Sequence, residues 1–141
     1  MNNEHPARAA AARSMKAVEA ADRQAWLANF TPEAIVEDPV GVSILDPAGL
    51  GHQGIDAIAA FWDANIGPNA VRFSIDRSYA AGDEVANVGT ITTTLPDGSL
   101  TEVQGVFVYR VDEQGLLTSL RAFWEMEQLR FTPPGQGNEL V

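Results

Sequence analysis

The spacing of apolar residues predicts two helices at the start of the chain. Residues 7–20 are rich in alanine and contain neither glycine nor proline, which favours a helix. A second, short helix is predicted after Asp22, a residue type that caps helix N-termini. Trp26 and Phe30 share the buried side of this helix, and the Thr-Pro pair at residues 31–32 is predicted to end it.

Between these helices and the second half of the chain, the pattern predicts one strand, one loop and one helix. Residues 34–38 contain β-branched residues and are predicted to form a short strand. Residues 41–54 contain four glycines and His52, which is typical of a loop, and the pattern leaves open whether this loop is a lid. Across residues 54–66 apolar residues recur every three or four positions, which predicts a helix.

The second half of the chain is predicted to form a four-strand meander, because the apolar period changes to two. Val71, Phe73 and Ile75 alternate with polar residues in its first strand. The other predicted strands cover residues 85–95, 100–111 and 116–128. The order of elements predicts an α+β fold, in which a curved antiparallel sheet carries the helices on one face; such a sheet can form a cone whose inner wall lines a pocket.

Alternation along the last strand distinguishes the two faces of the sheet. Ala122 and Trp124 belong to an apolar set that is predicted to face the helices or the pocket. The opposite face is also partly apolar, because it carries Phe123, Val106 and Val108. A sheet with two apolar faces often packs against a second copy, so we predict a homodimer formed through the outer face.

The composition fits one globular domain. The chain has 141 residues, 45% of them hydrophobic and 20% charged. A chain of this length buries about two-thirds of its unfolded surface when it folds. We therefore predict a single domain over residues 1–141, with mobile ends at residues 1–6 and 132–141.

Charge and residue usage exclude several function classes. The formal net charge of −10 argues against nucleic acid and against an anionic membrane surface as partners, because both bind basic patches. The absence of cysteine excludes a disulfide framework and thiolate chemistry. His5 and His52 show no metal-ligand spacing, so no metal or other cofactor is predicted. The N-terminus lacks a signal-peptide pattern and no apolar run approaches a membrane span, which predicts a soluble, cytoplasmic protein.

Asp38 is the leading candidate for chemistry. It follows Glu37 at the end of the predicted strand, and Pro39 after it disfavours helical backbone at Asp38 and cannot continue a strand ladder. Val36 and Val40 place apolar side chains two residues away on either side. A carboxylate here either caps a turn or acts as a base that faces an apolar cavity. Glu37 alternates to the other side of the strand, so it is a poor second carboxylate for the same site.

Three stretches of the sequence carry a family pattern. They are Val36-Glu37-Asp38-Pro39-Val40-Gly41, Gly54-Ile55-Asp56-Ala57-Ile58 with Phe61-Trp62, and Ser119-Leu120-Arg121-Ala122-Phe123-Trp124. Over residues 10–128 the chain resembles the ketosteroid isomerase-like branch of the SnoaL and nuclear transport factor 2-like superfamily. It looks most similar to the mycobacterial ketosteroid isomerase-like, steroid-binding proteins. The resemblance implies the cone-shaped, cystatin-like fold of that superfamily, with the N-terminal helices on the concave face of the sheet.

The resemblance also implies a mechanism. In this family an aspartate moves a proton between two carbons of a 3-oxo-Δ5 steroid, while a tyrosine and a protonated aspartic acid stabilise the dienolate oxygen. Asp38 matches the base, but the tyrosine position falls on Ser14 and the aspartic acid position on Phe107. Losing one such donor typically costs roughly 10²–10³ in rate. Substitute donors that remain open are the indole N–H of Trp62 or Trp124, the phenol of Tyr109, and a bound water.

We predict Asp38 as the catalytic residue. The residues predicted to contact the substrate are Ser14, Val18, Phe30, Trp62, Phe107 and Trp124. The predicted function is that of a steroid Δ-isomerase-like enzyme, an intramolecular oxidoreductase that transposes a C=C bond. One alternative, favoured by the missing donors, is a non-catalytic protein that binds a steroid or another hydrophobic small molecule. A further alternative is a polyketide cyclase or an epoxide-opening enzyme, which needs an acid as well as a base.

Overall fold

The structure is a computed structural model that describes residues 5–135. The helices are α1 (Pro6–Glu19), α2 (Arg23–Ala28) and α3 (Ile55–Phe61), and α3 continues into a π-helical turn (Trp62–Ile66). The strands are β1 (Phe30–Glu37), β2 (His52–Gln53), β3 (Ala70–Ala81), β4 (Glu84–Thr94), β5 (Leu100–Val111), β6 (Leu117–Phe123) and β7 (Arg130–Thr132). A 3₁₀ turn (Met126–Gln128) lies between β6 and β7.

The predicted N-terminal helix is confirmed as α1. His5 caps it, because its Nδ1 accepts a hydrogen bond from the Ala7 N–H at 3.1 Å. Pro6 occupies the first helical position, where its missing N–H is not needed. The alanines on the inner side of the helix, among them Ala10 and Ala11, are completely buried, since small side chains let the helix pack closely on the sheet.

Helix α2 is shorter than the pattern predicts. Asp22 caps it as predicted, by accepting a hydrogen bond from the Ala25 N–H at 3.1 Å. The helix ends before Phe30, however, and Phe30 begins strand β1. Pro32 therefore lies inside a strand. The pairing of β1 with β6 shifts register between Phe30 and Ile35, so the missing proline N–H falls where the ladder is already interrupted.

The strands form a seven-stranded sheet with the order β2-β1-β6-β5-β4-β3, and β7 pairs with β5. The meander from β3 to β6 is antiparallel, as predicted, whereas β1 joins it parallel to β6. These findings confirm the α+β fold with a curved antiparallel sheet. The pattern does not predict the parallel pair, because a strand's own sequence does not encode the direction of its neighbour.

The last predicted strand, residues 116–128, is too long: a 3₁₀ turn covers Met126–Gln128, and β7 lies beyond the predicted range. β6 ends at Phe123, and β7 then pairs with residues 100–102 of β5, beside the end of β6. Among the ends predicted to be mobile, residues 1–4 and 136–141 lie outside the described residues, whereas Thr132 is the last residue of β7.

The core lies between the helices and the concave face of the sheet. Helix α1 packs across β3, β4 and β5, while α3 packs against β1. Large side chains of this core that are completely buried include Trp26, Ile58 and Leu117. Within residues 5–135, no helix is both long enough and apolar enough to cross a membrane.

Candidate functional site

A cavity of about 260 Å³ lies between the helices and the concave face of the sheet. Most of its wall is apolar. Side chains of this apolar wall include Val18, Val36, Phe73, Val103 and Phe107. A mostly apolar cavity with a few polar groups is the usual form of a small-molecule site.

Asp38 is, among the described residues, the one carboxylate that lines this cavity. Strand β1 ends at Glu37, and Pro39 has no N–H with which to continue the ladder. The segment beyond is tied to β6 by a hydrogen bond from the Val40 N–H to the Ala122 carbonyl oxygen at 2.9 Å. These constraints hold Asp38 where β1 leaves the sheet, with its side chain in the cavity.

The surroundings of Asp38 raise its pKa above the ordinary value of 3.8. By accessible surface area the side chain is half-buried, because one side faces the cavity. Protein atoms nevertheless surround the carboxylate, and this burial is the largest influence on its pKa, which it raises. The indole N–H of Trp124 donates to Oδ1 of Asp38 at 2.6 Å and lowers the pKa, as does the charge of His52. A raised pKa brings a carboxylate closer to the range in which a base works near neutrality.

Trp124 is positioned by a close approach of two backbone segments. It follows β6 directly, where the chain passes Gly105 of β5. A Cβ at position 105 would collide with the Phe123 carbonyl oxygen and would lie 3.0 Å from the Cβ of Trp124. Glycine at this position therefore allows the indole to reach Asp38.

Glu37 lies on the outer face of the sheet, as the strand alternation predicts. Its Oε1 accepts a hydrogen bond from Nε of Arg121 at 2.7 Å. The Arg121 guanidinium also lies 5.3 Å from the ring centroid of Phe123. Two adjacent carboxylates thus point to different faces, and Asp38 alone of the two faces the cavity.

A second polar group of the cavity centres on Tyr109. The Trp26 indole N–H donates to the Ser14 Oγ at 3.1 Å. Ser14 and Tyr109 both line the cavity, and hydrogen bonding from Ser14 lowers the pKa of the Tyr109 phenol. Burial and the negative charge of Asp38 raise the pKa of Tyr109, and Ser14 lowers it. The net shift is upward, so the phenol is protonated at neutral pH.

His52 lies in the two-residue strand β2, opposite Val36, rather than in an open loop. Its ring centroid is 4.8 Å from that of Phe61. Its Nε2 is buried and has no hydrogen-bond partner among residues 5–135. Because its charge lowers the pKa of Asp38, His52 is an electrostatic neighbour of the base that the sequence pattern does not identify.

The cavity brings together most of the predicted site residues. They are Asp38, Ser14, Val18, Phe107 and Trp124. Phe30 and Trp62 do not line it, which corrects the expectation that they form its wall. Their ring centroids lie 4.8 Å and 5.3 Å from that of Trp26, which itself lines the cavity. Phe30 is displaced because β1 begins there, and Trp62 lies in the π-helical turn after α3.

Three further wall residues, Trp26, Tyr109 and Leu45, are not among the predicted contacts. Tyr109 follows Phe107 at a spacing of two on β5, so the strand period already places both on one face. Helical spacing marks Trp26 as buried but does not distinguish a core position from a cavity wall. Leu45 comes from the glycine-rich loop and has no periodic signal.

The polar inventory of the site is small. Within the described part of the chain, no group of three or more His, Asp or Glu side chains is placed to hold a metal ion. Asn65, Asn69 and Thr93 add neutral polar groups to the cavity wall. The arrangement can enclose an apolar molecule, exchange a proton with it through Asp38 and hydrogen-bond an oxygen atom.

Comparison with known proteins identifies relatives along most of the chain. The SnoaL-like domain family matches residues 11–120. The steroid Delta-isomerase of Nocardioides simplex is 31% identical over 126 residues, which are 89% of this chain and 95% of that protein.

Solved structures extend the similarity to three dimensions. The Delta 5-3-ketosteroid isomerase from Mycobacterium sp. has a TM-score of 0.88 at 41% identity, with 91% of this chain and 99% of that chain covered. A Mycobacterium tuberculosis protein in complex with estradiol-17beta-hemisuccinate has a TM-score of 0.86 at 34% identity, with 90% and 99% covered.

Proposed function

Since the chain belongs to the SnoaL-like domain family, within the nuclear transport factor 2-like superfamily, we propose that it is a ketosteroid isomerase-like enzyme with Asp38 as its general base. The substrate class is a steroid-like, apolar ketone with a C=C bond one carbon removed from the carbonyl group. The observation that carries this proposal is the pair of Asp38 and Trp124, in which an indole N–H holds a carboxylate of raised pKa inside an apolar cavity.

In the proposed reaction, Asp38 removes a proton from the carbon between the carbonyl group and the C=C bond. The electron pair of that C–H bond moves into the conjugated system, and negative charge develops on the carbonyl oxygen of a dienolate. Protonated Asp38 then returns the proton to the far carbon of the former double bond. The product is a conjugated ketone, and no atom is gained or lost.

Trp124 gives the two oxygen atoms of Asp38 different roles. Its N–H occupies Oδ1 at 2.6 Å, which leaves Oδ2 to accept the substrate proton. A carboxylate held at one oxygen loses less orientational freedom when the substrate binds, which favours proton transfer in a fixed geometry.

The cavity wall supports a hydrophobic ligand. Its volume of about 260 Å³ lies just below the range of ordinary ligand pockets, which is about 300–1,000 Å³. Val18 on α1 and Phe107 on β5 offer apolar contact from a helix and from the sheet. The similarity to a solved structure that holds an estradiol derivative supports a steroid-like molecule for this chain.

A second candidate is a protein that binds such a ligand without turnover, and Phe107 is the observation that favours it. Phe107 lines the cavity at the position where the family's aspartic acid donor is expected, and a phenyl ring cannot stabilise a dienolate oxygen. Epoxide opening or cyclisation has less support. Acid–base chemistry of that kind needs a second proton donor, and Asp38 is the one carboxylate that lines the cavity within residues 5–135.

Turnover of 5-androstene-3,17-dione tests the assignment of the base. The conjugated product absorbs ultraviolet light that the substrate does not, so the reaction is followed directly. We expect Asp38→Asn to lower kcat by roughly 10²–10⁴-fold, the usual contribution of a general base. Glu37→Gln is the matched control: it makes the same chemical change at the adjacent residue and should leave kcat unchanged.

Fluorescence titration with the same steroid separates an enzyme from a binding protein. Trp26 and Trp124 line the cavity, so a bound ligand should change their emission. Tight binding without turnover in the wild-type protein would favour the second candidate. If the steroid does not bind at all, the proposed ligand class is wrong.

We also propose that two copies associate through the outer face of the sheet. Phe123 is 42% exposed there and pairs in register with Val106, which is half-buried. Size-exclusion chromatography with light scattering should give twice the chain mass of 15.1 kDa at micromolar concentration, and Phe123→Ser should give the monomer mass. A wild-type monomer under these conditions would contradict the proposal.

A further inference from the structure

The hydrogen bonds around Ser14 run in one direction. An indole N–H only donates, so the Ser14 Oγ accepts from Trp26. The Ser14 proton then needs an acceptor. The carbonyl oxygen one helical turn earlier, that of Ala10, already accepts the helical N–H and the side-chain amide of Asn29 at 2.9 Å. Tyr109 lines the cavity together with Ser14 and is a polar group to which Ser14 can donate, and hydrogen bonding from Ser14 lowers its pKa.

A phenol that accepts a hydrogen bond from Ser14 keeps its own proton for another acceptor. Tyr109 is 2% exposed, yet it lines the cavity. Within the described residues Ser14 is the side chain that hydrogen-bonds this phenol. A molecule bound in the cavity can therefore accept the phenol proton. Burial and the charge of Asp38 raise the pKa of Tyr109, which keeps that proton in place at neutral pH.

Tyr109 and Asp38 face the same space. The negative charge of Asp38 acts on the phenol, and both side chains line the cavity. Tyr109 pairs in register with Leu120 of β6, two residues before Ala122, whose carbonyl oxygen holds the segment after Asp38. A ketone whose oxygen lies at Tyr109 is therefore held in the same cavity as Asp38.

We propose that Tyr109 donates the hydrogen bond that binds the carbonyl oxygen of the ligand, and that Ser14 and Trp26 orient its phenol. The catalytic consequence rests on the proposed function, because this hydrogen bond strengthens as negative charge develops on the oxygen. The ligand class is a flat, apolar molecule with a carbonyl or phenolate oxygen. The phenol comes from β5, and Ser14 on α1 supports it instead of acting as the donor.

Binding of 2-naphthol and of naphthalene tests the donor without any turnover. The two molecules share a flat ring system, and 2-naphthol alone carries an oxygen. The measurement uses Asp38→Asn as the background, because the Asp38 carboxylate would compete as a hydrogen-bond acceptor for the naphthol hydroxyl. We expect Tyr109→Phe to weaken 2-naphthol binding roughly threefold to tenfold, as loss of a neutral hydrogen bond implies, and to leave naphthalene binding unchanged.

Two further variants make this test decisive. Tyr79→Phe removes a phenol that is 60% exposed on β3, outside the cavity, and should change neither affinity. Ser14→Ala should weaken 2-naphthol binding selectively but by a smaller factor, because the phenol stays and loses its orienting partner. If Tyr109→Phe fails to fold, the selective loss of 2-naphthol affinity in Ser14→Ala serves as the test. Equal losses for the two ligands, or no loss, would overturn the proposal.

Steroid turnover separates failure of this proposal from failure of the proposed function. If the wild-type protein isomerises the steroid, Tyr109→Phe should lower kcat by roughly 10²–10³-fold, and unchanged kcat would overturn the role of Tyr109. If the wild-type protein shows no turnover but Tyr109→Phe loses selectivity for 2-naphthol, the isomerase function fails and the donor role stands.

Discussion

Glu37 and Asp38 are neighbours in the chain, but they lie on opposite faces of the sheet and in opposite environments. The Glu37 carboxylate on the outer face has Arg121 at 2.7 Å, and a cation at that distance stabilises its charge. The Asp38 carboxylate in the cavity has the neutral indole N–H of Trp124 at 2.6 Å and, among residues 5–135, no salt bridge. Burial raises the pKa of Asp38.

This difference shows that the surroundings of a carboxylate, and not its residue type, decide whether it can act as a base. In water the two carboxylic acids have similar pKa values, of about 3.9 for Asp and about 4.3 for Glu. A strand turns successive side chains to opposite faces, so one of the pair meets a cation while the other meets an apolar cavity. The second carboxylate makes no salt bridge within residues 5–135 and has a pKa raised by burial, so it is the better acceptor for a proton from carbon. Each variant below removes one element of this contrast.

Removal of the neutral donor should have the largest effect. Trp124→Phe deletes the indole N–H and keeps an aromatic ring. Because that hydrogen bond lowers the pKa of Asp38, its loss should move the acid limb of the pH–rate profile to higher pH. On that limb kcat/KM should fall roughly tenfold, as expected for a hydrogen bond to a charged group. An unchanged limb would show that Trp124 does not act on the base.

Removal of the charge at position 38 should stabilise the fold. The pKa of folded Asp38 lies above its ordinary value of 3.8, so the stability this group contributes is complete below that pH and is lost as pH rises through the raised pKa. Asp38→Asn avoids the loss and should raise the free energy of unfolding at neutral pH by on the order of 1 kcal/mol. Thermal unfolding from pH 3 to 8 should show this gain disappearing below pH 3.8, whereas Glu37→Gln should show no gain.

Removal of His52, the second group that lowers the pKa of Asp38, should shift the pH–rate profile in the same direction as Trp124→Phe, but by less. The charge of His52 lowers the pKa of Asp38, so His52→Gln should move the acid limb to higher pH. We expect kcat/KM on that limb to fall roughly twofold to threefold, since a charge at a distance acts more weakly than a direct hydrogen bond. A shift to lower pH would contradict the assigned interaction.

Disruption of the outer carboxylate should have the smallest effect. Arg121→Ala removes the partner of Glu37; the Arg121 side chain is 45% exposed and the Glu37 side chain is 14% exposed. Chemical denaturation should therefore show a loss of about 1 kcal/mol, larger than for a fully exposed pair, and turnover should not change. Arg110→Ala, which removes an exposed pair on the sheet, with Asp83, is the control. A loss of turnover with Arg121→Ala alone would show that the two faces are coupled.

Local pattern predicts the elements of the meander well. The predicted strand 100–111 coincides with β5, because two-residue periodicity and the flanking turns are properties of the segment itself. The errors fall where an element ends through pairing with a distant one. Phe30 belongs to β1 because β6 offers it a partner, Leu117. β6 stops at Phe123, beside the part of β5 to which β7 returns.

The residues of the site also fall into those that local pattern places and those that tertiary packing places. Alternation and the family pattern bring Asp38 and Phe107 to the cavity wall, since each depends on its own strand. Trp62 has suitable helical spacing, yet it packs on Trp26 instead of lining the cavity. Helical periodicity identifies a buried face, and the packing between α2 and the segment after α3 decides which ring on that face reaches the cavity.

The sequence by itself determined the α+β class, the strand meander and the separation of Glu37 from Asp38, because backbone periodicity sets all three locally. The tertiary structure alone decided which groups meet. The hydrogen bond from Trp124 to Asp38 joins residues 86 positions apart. It requires the parallel register of β1 on β6 and the close approach at Gly105. The contact between Ser14 and Tyr109 likewise requires α1 to pack on β5, since a hydrogen bond forms only where the fold sets both distance and direction.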